Sequence, residues 1–145
     1  MFYTILVKAH SGLRWVVLLL LVAAVITAFR KWQGRASYSA TDNRLYLFAL
    51  ISVHIQLVLG LVLYFISPKV NLNNISNSLT RFYTIEHTVG MLLAIVLITV
   101  GRSRSRRMSD NALKHRTVAI FYGIGLLLIL VSIPWPFRNL GAGLY

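Results

Sequence analysis

Four long apolar stretches, at residues 13–29, 45–66, 82–100 and 117–133, decide what this chain can become. Each comes close to the roughly 20 mainly apolar residues that an α-helix needs to cross a bilayer core. In hydrocarbon an open segment can satisfy its own backbone hydrogen bonds only as a helix. The connections are short and leave no room for a separate soluble domain in 145 residues. The sequence therefore predicts an all-α integral membrane protein, a single four-helix transmembrane domain over residues 1–145. Composition agrees, because 57% hydrophobic and 12% charged residues lie outside the range of soluble domains.

The residues between the stretches mark their ends. Residues 1–12 are moderately polar and extend the first helix outward, with Lys8 and His10 in the extension and Arg14 just beyond it. The basic segment at 30–35 stops that helix. Ser67 and Pro68 end the second, since proline cannot continue a helix. The Asn- and Ser-rich segment 69–80 reads as a loop. The third stretch stops at the arginine run 101–107, Ser109 and Asp110 read as a helix start, and Pro134 and Pro136 break the fourth. No small-residue cleavage site follows the first stretch, which reads as a retained span and not as a signal peptide.

Ten of the fifteen Lys and Arg residues fall after the first and third stretches: Arg30, Lys31, Arg35, Arg44, Arg102, Arg104, Arg106, Arg107, Lys114 and Arg116. The positive-inside rule places those loops in the cytoplasm. Helices one and three then run inward, two and four run outward, and both termini lie on the outer side. Antiparallel neighbours with short loops favour an up-and-down four-helix bundle, here multi-pass in the inner (cytoplasmic) membrane. Trp135, Phe137 and Tyr145 fall at the outer interface. Gly90, Gly123 and Gly125 mark close helix approach or room for a flat cofactor. Because orientation accounts for the cations, the net charge of +12 points to the lipid bilayer as partner and not to nucleic acid.

The chain has no cysteine, which excludes iron–sulfur clusters, thiolate ligation and haem attached through cysteines. Any cofactor must be held by histidine or without covalent bonds. Ionisable groups inside a span are costly unless they find partners, so each is a functional candidate. His10, His54, His87 and His115 are distributed one per helix. A single membrane histidine is more often a hydrogen-bonded packing residue, but four arranged this way support haem ligation equally well. That chemistry needs two imidazoles on different helices at similar depth.

At a rise of about 1.5 Å per residue from the cytoplasmic ends of the stretches, His10 lies about 29 Å deep, His87 about 21 Å, His54 about 14 Å and His115 at the edge. Span ends read from sequence shift by about 3–6 Å, so His87 pairs with either His10 or His54. One haem in the outer half is the economical reading. A second, between His54 and His115, requires His115 to lie deeper than its basic neighbours Lys114 and Arg116 suggest; that run also reads as a solvated loop or an anionic-lipid contact. Arg14 and Glu86 both fall about 23 Å deep, which suggests an ion pair between helices one and three. Arg14, Arg81 and Lys8 are candidate partners for haem propionates, and Glu86 is a candidate proton acceptor for quinol. A plain structural ion pair is the equal alternative. Gln56, Tyr64, Tyr83 and Trp15 add polar handles.

The segments HSGLRW at 10–15, HIQ at 54–56, EHTVGM at 86–91 and IPWPFR at 133–138 resemble those of small four-span bacterial membrane proteins labelled cytochrome-B-like, and the resemblance covers nearly the whole chain. It implies a b-type cytochrome holding haem b, with the four histidines as candidate iron ligands. Longer four-helix b-type cytochromes often carry two ligands on one helix, and this chain departs from them. The leading expectation is a membrane cytochrome, with one haem or two, that carries electrons between a quinol pool and a redox partner. The alternatives are a haem-free accessory subunit of a larger respiratory or transport complex, and a small proton-coupled transporter relaying through Glu86 and the histidines. The lack of internal symmetry argues against the transporter. A homo-oligomer is also open, and no hydrolytic constellation or phosphate loop is present.

Overall fold

A computed structural model describes residues 1–140, and these form helices with no strand among them. Tyr145 lies outside the described residues. Four helices are long and apolar enough to cross a membrane: α1 Phe2–Gln33, α2 Ala40–Ile66, α3 Ser78–Arg107 and α4 Asn111–Ser132. α1 and α3 reach well beyond the apolar stretches that predict them. Arginine and lysine are good helix formers, and their stems can run along an apolar surface while the charge reaches water, so the helix ends later than the hydrocarbon does. The segment expected as a loop at 69–80 is divided, with a 3-10 turn at Leu72–Asn74 and the start of α3 at Ser78.

Side chains set the helix starts. Ser39 and Asp42 form a reciprocal capping box on α2, and Asp42 Oδ2 also accepts from Lys31 Nζ at 2.7 Å, which ties the end of α1 to the start of α2. Asn77 accepts from the amides of Leu79 and Thr80 to cap α3, and Asp110 accepts from Leu113 N at 2.7 Å to cap α4. Phe82–Glu86, near the start of α3, is π-helical. The hydroxyl of Thr88 donates to Tyr83 O, five residues back, at 3.0 Å. Such wide turns are rare and concentrate at functional positions; this one directly precedes His87.

α1 packs against α2 and α4, α3 packs mainly on α4, and the seam between α2 and α3 is the thinnest. Leu21, Ala24, Ala28, Tyr46, Ala49, Ile98, Val118 and Tyr122 are fully buried. They form a core in the half nearer the arginine-rich loops, called here the basic end. A Cβ on Gly125 would stand 2.6 Å from Ile98 Cγ1, and one on Gly101 would collide with Phe121, so α3 and α4 approach as closely as glycine allows. Gly90 is likewise pressed on Ser132, whereas Gly123 meets nothing nearer than Val25 at 4.0 Å. The outward faces are as apolar as the core: Phe65 is 81% exposed and Val131 73%. A helix apolar all round belongs in lipid.

Candidate functional site

At the end opposite the basic loops the helices diverge around a cavity of about 370 Å³ that has space reaching in from α1, α2, α3 and the end of α4. Most of its lining is apolar, from Val7 and Val17 to Met91 and Ile129. Into it project His10 and Arg14 from α1, Gln56 and Tyr64 from α2, and Tyr83 and His87 from α3. His10 and His87 face one another, with ring centroids 6.4 Å apart and planes at 72°.

His87 is fixed from behind. Its Nδ1 lies 2.8 Å from the carbonyl of Ser132. A carbonyl only accepts, so Nδ1 carries the proton and Nε2 keeps its lone pair. Phe82 and Tyr83, both in the π-helical turn, flank the ring at 5.9 and 6.3 Å. This is how metal-binding histidines are usually oriented, with the second nitrogen donating to a fixed acceptor. His10 is held differently. Gln56 Nε2 donates to its backbone carbonyl at 2.9 Å, and a Cβ on Gly60 would stand 3.3 Å from its ring, which leaves α2 no side chain at that point. His10 Nδ1 is buried without a hydrogen-bond partner among the described residues. An orphaned nitrogen of this kind is costly unless something else meets it.

The pair fits a metal between two imidazoles. A coordinating imidazole nitrogen sits about 2 Å from a transition-metal ion, so two rings on opposite sides of one ion have centroids roughly 6 Å apart. Among the described residues no group of three or more His, Cys, Asp or Glu side chains that could hold a metal ion converges. Arg14 is buried at the same cavity, one turn from His10, with its guanidinium 5.1 Å over the Trp15 ring.

The other expected residues lie elsewhere. His54 sits on another face of α2, with Nδ1 2.8 Å from Leu50 O and Nε2 3.5 Å from Thr99 Oγ1. His115 is fully buried at the basic end, where Nδ1 meets the Tyr46 hydroxyl at 2.9 Å, Nε2 lies 3.5 Å from Ser37 O, and Tyr38 packs alongside at 5.2 Å. His54 and His115, expected as the pair for a second haem, are held by separate sets of neighbours. The expected pair of Arg14 with Glu86 does not form. Glu86 accepts from Arg81 Nε at 3.0 Å, and both side chains are nearly half exposed. The reason is the π-helical turn, in which a residue is matched with the one five positions on. Neither Glu86 nor Arg81 lines the cavity, and Lys8 is exposed on α1.

Sequence reasoning missed a polar cluster at the basic end. Arg102, counted above as one more loop cation, is 4% exposed and donates to Tyr38 Oη at 2.9 Å and Asn43 Oδ1 at 2.5 Å. Tyr122 Oη donates to Tyr46 O at 2.8 Å. Tyr46 and Tyr122 stand within the apolar stretches, and their spacing from the arginine run was the available signal. No family model matches the chain, and comparison with curated proteins and with solved structures gives no match.

Proposed function

We propose that the chain is a membrane b-type cytochrome that binds one haem b between His10 and His87 and passes electrons between a quinol pool and a redox partner. On this reading it is an up-and-down four-helix bundle in a bacterial inner membrane, with both termini outside. The opposition of the two imidazoles at 6.4 Å in an apolar cavity carries the proposal. Haem supplies one-electron chemistry when bound, and axial histidines and the polarity of the pocket set its potential. The chain's own work is to orient and enclose. The Ser132 carbonyl keeps the Nε2 lone pair of His87 aimed into the cavity, and Gly60 leaves the space beside His10. Buried Arg14 supplies positive charge for a propionate. Apolar lining from four helices keeps water from the centre.

The test is a dithionite-reduced minus air-oxidised visible spectrum of the detergent-purified protein, with haem quantified per chain. Sharp b-type bands at one haem per chain are expected, and two haems per chain would call for a second site that uses His54 and His115. A colourless protein after growth with added haem would sink the reading in favour of the accessory subunit.

A further inference from the structure

His54 is the one histidine neither in the cavity nor in the buried cluster. It lies in a shallow groove along α2 with Leu50, Ile51, Ile55 and Val58. Ile51, Ile55 and Val58 are 43, 50 and 60% exposed, so this stripe faces lipid. Bilayer-facing ionisable side chains are rare, because nothing in hydrocarbon satisfies them.

Hydrogen-bond accounting identifies what is missing. Nδ1 donates to Leu50 O at 2.8 Å, so Nε2 of the neutral ring is an acceptor. Its nearest polar neighbour is Thr99 Oγ1 at 3.5 Å, but the single proton of that hydroxyl goes to Ile95 O at 2.7 Å. Among the described residues Nε2 therefore has no donor, roughly 21 Å along α2 from its first residue. A partner must bring a donor, travel through lipid, and present apolar surface to Ile51, Ile55 and Val58. Water does not meet these conditions; a hydroquinone with a hydrocarbon tail meets all three. The place also suits an electron donor. Val53, beside His54, and Ile95, the acceptor for Thr99, both line the histidine cavity, so one layer of side chains separates groove from cavity.

Resting on the cytochrome reading, we propose that the His54 groove at the α2–α3 seam binds a lipid-soluble hydroquinone whose ring hydroxyl donates to His54 Nε2. The full-length protein in detergent is photolabelled with a decyl-tailed hydroquinone carrying a diazirine, and the labelled peptides are mapped by mass spectrometry. Labelling within residues 50–58 is expected. It falls about tenfold in His54→Phe and persists in His54→Gln, whose amide oxygen still accepts. Methylating both hydroxyls of the probe lowers labelling of the unaltered protein about tenfold, a comparison that holds even if His54→Phe fails to fold. Labelling of Tyr64 and Met91 in the cavity instead, or equal labelling by the methylated probe, would overturn the proposal. Cross-linking of two copies through this stripe that hydroquinone does not displace would overturn it in favour of a dimer contact. Labelling does not require haem. A colourless protein labelled at 50–58 defeats the cytochrome reading alone, and a haem-replete protein unlabelled there defeats the groove alone.

Discussion

The two ends of the helix array use the same kinds of residue to opposite effect. At the basic end, His115 has a polar neighbour for each nitrogen, Tyr38 and Tyr46 pack against it with Tyr122 behind Tyr46, and Arg102 is buried among hydrogen-bond acceptors. At the other end, His10 and His87 face a cavity, one of them with an unmet nitrogen and the other braced by a carbonyl. Burial alone does not separate a structural histidine from a candidate ligand. What separates them is whether the surrounding protein has already used the ring nitrogens. A polar cluster with most of its groups hydrogen-bonded favours one packing, and it holds the helices together where the cavity leaves them apart.

This comparison can be broken by substitution. The largest effect is expected from His87→Ala and His10→Ala, each of which should abolish stoichiometric haem in the spectrum of purified protein. His115→Ala should leave haem per folded chain unchanged but cost about 2–4 kcal/mol of stability, measured by unfolding in mixed micelles, because it opens a void and orphans the Tyr46 hydroxyl. Loss of haem in the His115 variant with its fold intact would erase the distinction between the two ends. A smaller effect is expected at Gly90, where a methyl group collides with Ser132 and displaces the carbonyl behind His87. Gly90→Ala should weaken haem retention about tenfold, as loss of an outer-shell partner does elsewhere, and Ser132→Gly in the same chain should restore much of it. The smallest belongs to Glu86→Gln. Its exposed pair with Arg81 should change stability by less than about 0.5 kcal/mol and leave the spectrum unaltered.

The existence of four spans was legible because lipid demands long apolar helices and little else produces them. The four histidines were legible as candidates because such residues are expensive in a span. Their pairing was not. Measured from the arginine run, His87 came out about 8 Å shallower than His10. The structure runs α3 on to Arg107 and α1 to Gln33, and from those ends the difference shrinks to about 5 Å, which brings the rings together. Apolar patterning reports where hydrocarbon stops, and helices do not stop there. The partner of Glu86 was unreadable for a different reason, since nothing in the Phe82–Glu86 sequence announces a π-helical turn. Arg102 was hidden by its company: one buried guanidinium in a run of solvated arginines looks like the others until its neighbours are known.

That turn sets a rule for which changes of chain length the protein can absorb. Residues 67–77 lie outside the long helices, and a residue gained or lost there reshapes the segment from which Lys69 and Val70 line the cavity. Within Phe82–Glu86 the wide turn already takes up one surplus residue. Removing one residue there lets the turn close to an α-helical one and leaves the side chains from His87 to Arg107 facing nearly as they do. Removing one between His87 and Arg102, where the helix is regular, would instead turn Arg102 by about 100° relative to His87. Arg102 would then swing off Asn43 and Tyr38. The wide turn is thus where α3 holds a residue to spare, and the regular helix beyond it is where the residue count ties one end of the molecule to the other.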